Sequence, residues 1–116
     1  MCPFSQICAV LNIYPSCLYR YLNSSTCFKI DRMDNTEELQ RTKEAMSIVG
    51  IGPDEQEWIF KTVAAILHLG NCEFDDEDED TAKLSESSLP AASAFATLME
   101  VMARVFLKDF NDISYV

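Results

Sequence analysis

Trp58-Ile-Phe-Lys-Thr-Val-Ala-Ala-Ile-Leu-His-Leu-Gly-Asn71 decides how the rest of the chain must be arranged. Between Val63 and Leu69 only His68 is not apolar, so the stretch reads as a helix greasy on nearly every side. Such a helix belongs inside a core and not on a surface. Gly52 is the expected N-cap, Pro53 takes the first helical position, and Asp54 and Glu55 face the positive end of the helix dipole. Gly70 is the expected stop, since a left-handed residue past the last turn suits Gly or Asn. A helix over 53–69 follows, with Val63, Ile66 and Leu67 in the core; losing Ile66 or Leu67 to Ala should cost about 2–5 kcal/mol. A membrane span needs about 20 apolar residues, and this run is interrupted by Lys61 and His68, so no membrane insertion is expected.

Upstream, Asn35 reads as the N-cap of a second helix, with Glu38 closing a capping box. Leu39, Thr42, Met46 and Val49 form its apolar stripe, and Gly50 ends it in a Schellman turn that folds Ile51 back on Met46. The short link Ile51-Gly52-Pro53 makes the two helices packed neighbours. A third helix is expected from about Leu89-Pro90 to Phe110. The remaining segments read less regularly. Ile7 to Leu11 is compatible with a short helix and with a strand. Tyr14-Pro15-Ser16 is a turn. Leu18-Tyr-Arg-Tyr-Leu-Asn23 alternates and reads as extended, and Cys27 to Ile30 as a weak strand. Cys72-Glu-Phe74 is long enough for one extended rung, and residues 75–88 form an acidic, Ser-containing loop.

The 116 residues suffice for one core, and 48% apolar content is globular. Three Gly and four Pro favour helices over a turn-rich β architecture. Nineteen acids against nine bases give a net charge of -10, and Asp75, Asp76, Glu77, Asp78, Glu79 and Asp80 supply six consecutive negatives. Nucleic acid and anionic membranes repel such a surface. Cys2, Cys8, Cys17, Cys27 and Cys72 form no C-x-x-C spacing, and an odd count suits reduced thiols in the cytosol, packed as small hydrophobes. The first basic residue is Arg20, so a signal peptide is not expected.

Sites of chemistry are tested mostly to exclusion. Gly50, Gly52 and Gly70 fit neither G-x-x-x-x-G-K-[ST] nor G-x-G-x-x-G, so no phosphate loop is expected in this chain. In neither EF-hand frame, from Asp75 or from Asp76, does the sixth position hold the required Gly; it is Asp80 or Thr81. The acidic run therefore reads as a solvated loop. His68 has no second ligand or nucleophile near it in sequence, so it reads as a packed helix histidine, and a zinc site is not expected. Tyr19, Tyr21, Phe60 and Phe95 read as core. No catalytic residue, cofactor site or metal site is assigned.

A family resemblance carries the reading further. Leu18-Tyr-Arg-Tyr-Leu-Asn23, Cys27, Asp34-Asn-Thr-Glu-Glu-Leu-Gln-Arg-Thr-Lys-Glu-Ala-Met46, Val49-Gly-Ile51, Ile59-Phe60, and Val63-Ala-Ala-Ile-Leu-His-Leu-Gly-Asn71 with Phe74 resemble the myosin motor domain, in its order and at its spacing. The resemblance covers roughly residues 14–100. It implies a mainly α fold: a helical fragment with short extended segments, part of a larger α/β P-loop-type motor domain. Residues 1–13 are then an unmatched segment, 14–102 the motor-like segment with its acidic loop at 75–88, and 103–116 a divergent tail. In the complete head, ATP and Mg would be bound elsewhere, the partners would be the remainder of the head and the actin filament, and the location would be the cytoplasmic cytoskeleton. This piece would form part of the upper wall of the actin-binding cleft, between the two nucleotide switches. Asp75 to Asp80 would face actin, an unusual charge for meeting an acidic filament. Asp112-Ile-Ser114 comes too early to be the second switch. The chain alone is expected neither to bind nor to hydrolyse ATP, and to expose apolar patches that the rest of a head would cover. The alternative is a free-standing acidic helical interaction module without catalysis. An independent enzyme has no nucleophile, metal set or phosphate cradle to support it.

Overall fold

A computed structural model describes residues 8–9 and 11–99. Helix α1 spans Asn35–Ile48 and α2 spans Pro53–Gly70. Strands β1, Phe74–Asp78, and β2, Thr81–Leu84, form an antiparallel hairpin. A 3-10 turn, Glu86–Ser88, leads into α3, Leu89–Leu98. The described chain is therefore mainly helical with one two-stranded sheet.

The core lies along one face of α2. Ala64, Ala65, Leu11 and Leu98 are buried together, with Ile13, Phe60, Phe95 and Met99 packed against them. Cys72, Leu84 and Ala92 form a second cluster at the hairpin root, with Leu69 and Ala91. Alanines dominate where α2 and α3 run side by side: Ala64, Ala65, Ala92 and Ala96 are all buried. A methyl side chain lets two helix backbones approach closely, so the small residues mark the interface and the large ones border it.

That packing corrects the expected core. Val63 is 53% exposed and Ile66 50%, while Leu67 is only half-buried. Ile59, Val63 and Ile66 recur at spacings of four and three, which puts them on one stripe of α2 turned away from α3. The run is greasy on both sides, but the described residues cover only its alanine side.

The helix ends also differ in detail. Gly52 does cap α2, and Glu55 Oε2 accepts its N–H at 2.9 Å. Gly70, however, stays helical, and the chain leaves through Asn71 at φ -87. The N–H groups of Asn71 and Cys72 close the last turn on the carbonyls of His68 and Leu69. For α1 the N-cap is Asp34 and not Asn35: its Oδ1 accepts from Thr36 N at 2.8 Å and Glu37 N at 3.4 Å. A carboxylate there combines the cap with a charge aligned to the dipole. Glu38 instead pairs with Arg41. At the other end Gly50, at φ +94, makes the expected Schellman turn, with Ile51 N donating to Met46 O and Gly50 N to Ser47 O.

Helix α1 buries no residue, and Ile48 and Val49 are exposed. It meets α2 chiefly at their corner, where buried Gln56 donates through Nε2 to Ser47 Oγ and to Ile51 O, both at 2.9 Å. Residues 18–23 are not extended. A 3-10 turn over Ser16–Leu18 continues into turns, and Cys27 to Ile30 joins no strand. The expected third helix is seen to Leu98; its continuation to Phe110 lies outside the described residues.

Replacing Leu84, which is buried, with Ala should lower stability by about 2–5 kcal/mol. Replacing half-exposed Ile66 with Ala should lower it by about 1 kcal/mol or less. Urea denaturation of the two variants checks this order, which is the reverse of a core centred on Ile66.

Candidate functional site

The acidic stretch is a hairpin and not a loop. Phe74 pairs with Leu84, Asp75 with Lys83, Asp76 with Ala82 and Asp78 with Thr81, with a bulge between Asp76 and Asp78. Asp and Glu are poor strand formers, so local preference does not create these strands. The root does. Leu84 is buried against Cys72 and Ala92. Ser85 N donates to Glu73 O at 2.9 Å, and Glu73 N donates to Ser88 Oγ at 2.7 Å. Lys83 opposite Asp75 offsets part of the repulsion, and the bulge twists an edge that like charges already protect. Asp75, Asp76, Asp78, Glu79 and Asp80 are all exposed, and the two-residue turn Glu79-Asp80 forms the tip. Glu77 lies in the bulged strand.

The hairpin grows out of a clamp between the end of α2 and residues 11–21. Asn71 spans the gap: its Nδ2 donates to Leu18 O and its Oδ1 accepts from Arg20 N, both at 2.8 Å. Arg20 Nη2 meets Glu73 Oε1 at 2.6 Å, although both side chains are more than half exposed, so this pair contributes little by itself. Tyr21 packs against Gly70; a Cβ there would sit 2.5–2.9 Å from three ring atoms. Gly70 is thus required by contact and not by a left-handed turn. Tyr21, expected in the core, keeps most of its surface exposed, whereas Tyr19 is the largest fully buried side chain.

His68 completes the clamp. It is 2% exposed, with the rings of Tyr14 and Tyr19 edge-on to it at centroid distances of 6.2 and 5.4 Å. Tyr14 N donates to Tyr19 Oη at 3.0 Å, which ties the two tyrosines together. His68 Nε2 is buried without a hydrogen-bond partner. Burial holds the imidazole pKa below its usual value, against a smaller opposing pull from the Leu11 and Asn12 backbone. Burial likewise raises the Cys72 thiol, and Arg20 opposes it. Of the other cysteines, Cys17 and Cys27 are exposed, contrary to the expectation of packed thiols, and Cys8 is half-buried.

The clamp joins two stretches some 50 residues apart, 18–23 and 68–71, and residue spacing does not announce it. The only signal for it is that both stretches carry the family resemblance. Among the described residues no group of three or more His, Cys, Asp or Glu is placed to hold a metal ion. Gly50 ends one helix, Gly52 starts another and Gly70 lies under Tyr21. Asp112-Ile-Ser114 lies outside the described residues. No described helix is long and apolar enough to cross a membrane.

The Gly70 contact is directly testable. Gly70→Ala should destabilise the chain by about 1–3 kcal/mol through the clash with Tyr21. Adding Tyr21→Ala should recover part of that loss, and a double-mutant cycle by chemical denaturation measures the coupling. Additive effects would show that the two residues do not touch.

Comparison with known proteins agrees with the two clamped motifs. The family model for the myosin head (motor domain) matches residues 5–112, which is longer at both ends than the 14–100 stretch carried by motifs. The chain is 45% identical to Myosin-13 of Arabidopsis thaliana over 91 residues, covering 78% of this chain and 6% of that protein. It is 43% identical to Myosin-7 of the same plant over 91 residues, with 78% and 5% covered. Over a shorter stretch of 57 residues it is 58% identical to Myosin-17 of that plant, covering 49% of this chain and 4% of that protein. With most of its length matched by the family model, this chain belongs to the myosin head (motor domain) family, and it spans about a twentieth of the length of these relatives.

Proposed function

We propose that this chain contributes part of the upper wall of the actin-binding cleft in an ATP-driven motor head of the cytoskeleton. The acidic hairpin, with Asp75, Asp76, Glu77, Asp78, Glu79 and Asp80, faces the filament. The observation that supports the reading is the hairpin itself: charged, exposed and fixed at its root to the family's own motifs. Residues 14–102 form the motor segment, flanked by 1–13 and 103–116. By the family resemblance, ATP and its Mg belong to other parts of the head. The remainder of the head is the first partner and actin the second. The bare stripe of Ile59, Val63 and Ile66 favours this reading over a free-standing module, which would leave that surface to water.

The hairpin's charge then has a kinetic consequence. Exposed charges act over about 8 Å at physiological salt, so repulsion from an acidic filament falls on encounter more than on the docked state. The test uses a complete motor head carrying this chain, with the acids of 75–80 changed to Asn and Gln. At low ionic strength the neutral hairpin should bind actin about two- to tenfold faster, and the difference should shrink as salt rises. Equal association rates at low salt would leave the hairpin without a role at the filament.

A further inference from the structure

We propose that His68 is a pH-operated latch: its buried imidazole, with Nε2 unpartnered, holds residues 11–21 against the end of α2 while neutral, and releases them when it gains a proton. The inference concerns the fold of this chain and does not depend on the motor reading.

The ring is enclosed, and burial outweighs the help that the Leu11 and Asn12 backbone would give its charged form. His68 sits between Tyr14 and Tyr19, is 2% exposed, and leaves Nε2 with no partner. Protonation would put a second N–H and a positive charge into that enclosure, and a buried charge is tolerated only when it is paired. Among the described residues no charged side chain acts on the ring. From residues 11–21 the groups facing the ring are the two tyrosines and the Leu11 and Asn12 backbone. On its own side Cys72 Sγ lies 3.8 Å from His68 O, and burial keeps that thiol protonated. Helix α3, which runs along α2, has no ionisable side chain between Leu89 and Leu98. Arg20 and Glu73, at the outer end of the clamp, are paired with each other.

The least costly way to hydrate a charged His68 is to lift the tyrosines away. The segment that carries them is held to α2 further on by Asn71 and by the Tyr21–Gly70 contact. Acid therefore loosens the Tyr14–Tyr19 end first and then strains the bonds that root the hairpin. The sign follows from the lowered pKa. Above about pH 6.5, the unfolded value, the latch contributes its full stability. As pH falls below that value the open state takes up the proton more readily, and the latch weakens.

His68 is the only histidine in the chain, so a response between about pH 7.5 and 5.5 has a single imidazole to explain it. The experiment is amide hydrogen exchange of the full chain, read by mass spectrometry on peptides covering residues 11–21 and 89–98. Each rate is divided by that of an unstructured reference at the same pH. From about pH 7.5 to about pH 5.5 the protection of 11–21 should fall about tenfold while that of 89–98 holds. His68→Phe and His68→Gln should both abolish the pH response, whatever each does to absolute protection. Protection of 11–21 that does not change with pH would overturn the latch. So would an equal fall in both peptides, or a pH response that survives in the two variants.

Discussion

The contact between the last turn of α2 and residues 18–21 is the constraint on which the described chain depends. Tyr21 can lie on the helix only because position 70 has no side chain. Once it is there, Asn71 reaches both Leu18 O and Arg20 N, and Glu73 reaches Arg20. The same few residues then start the hairpin through the Glu73 bonds to Ser85 and Ser88. None of these bonds is strong alone, since a net hydrogen bond contributes about 0.5–1.5 kcal/mol. Together they fix where an unfavourable, like-charged pair of strands leaves the core.

This arrangement explains why so acidic a segment can be ordered. Six neighbouring carboxylates favour an open, solvated chain. Here their cost is spread along exposed strands, while the attractive terms are concentrated at the root, in Leu84, Cys72 and Ala92. The hairpin is therefore held from one end, and its tip carries charge without carrying structure. In a motor head, such an element would place a negative field at a defined point and leave the acids themselves free of internal duties.

What could be read from sequence was what local chemistry decides. Gly52-Pro53 started α2, and Gly50 ended α1 in its Schellman turn, because caps depend on a few adjacent residues. Apart from the Asn35 cap, displaced by its neighbour Asp34, the readings that failed depended on partners far along the chain. Gly70 looked like a stop signal, but its purpose is the distant Tyr21 ring. The strands at 74–84 were hidden by the low strand preference of Asp and Glu, and were set by Leu84. Val63 and Ile66 read as core because the run is apolar on nearly every side, yet the alanine face is the one α3 packs on. The candidate site was legible as a charge pattern, and its anchoring became legible only in three dimensions.

The central claim is that α2 is built to be covered on both faces and that the described residues cover one. Ile59, Val63 and Ile66 form a stripe with no partner among them, and Ile48 and Val49 add apolar surface beyond the corner with α1. The most direct measurement is sedimentation of the isolated chain together with binding of a hydrophobic dye, compared with a variant carrying Ser at 59, 63 and 66. The chain should bind the dye and self-associate, and the variant should do both far less. A monodisperse monomer that melts cooperatively and binds no dye would contradict it.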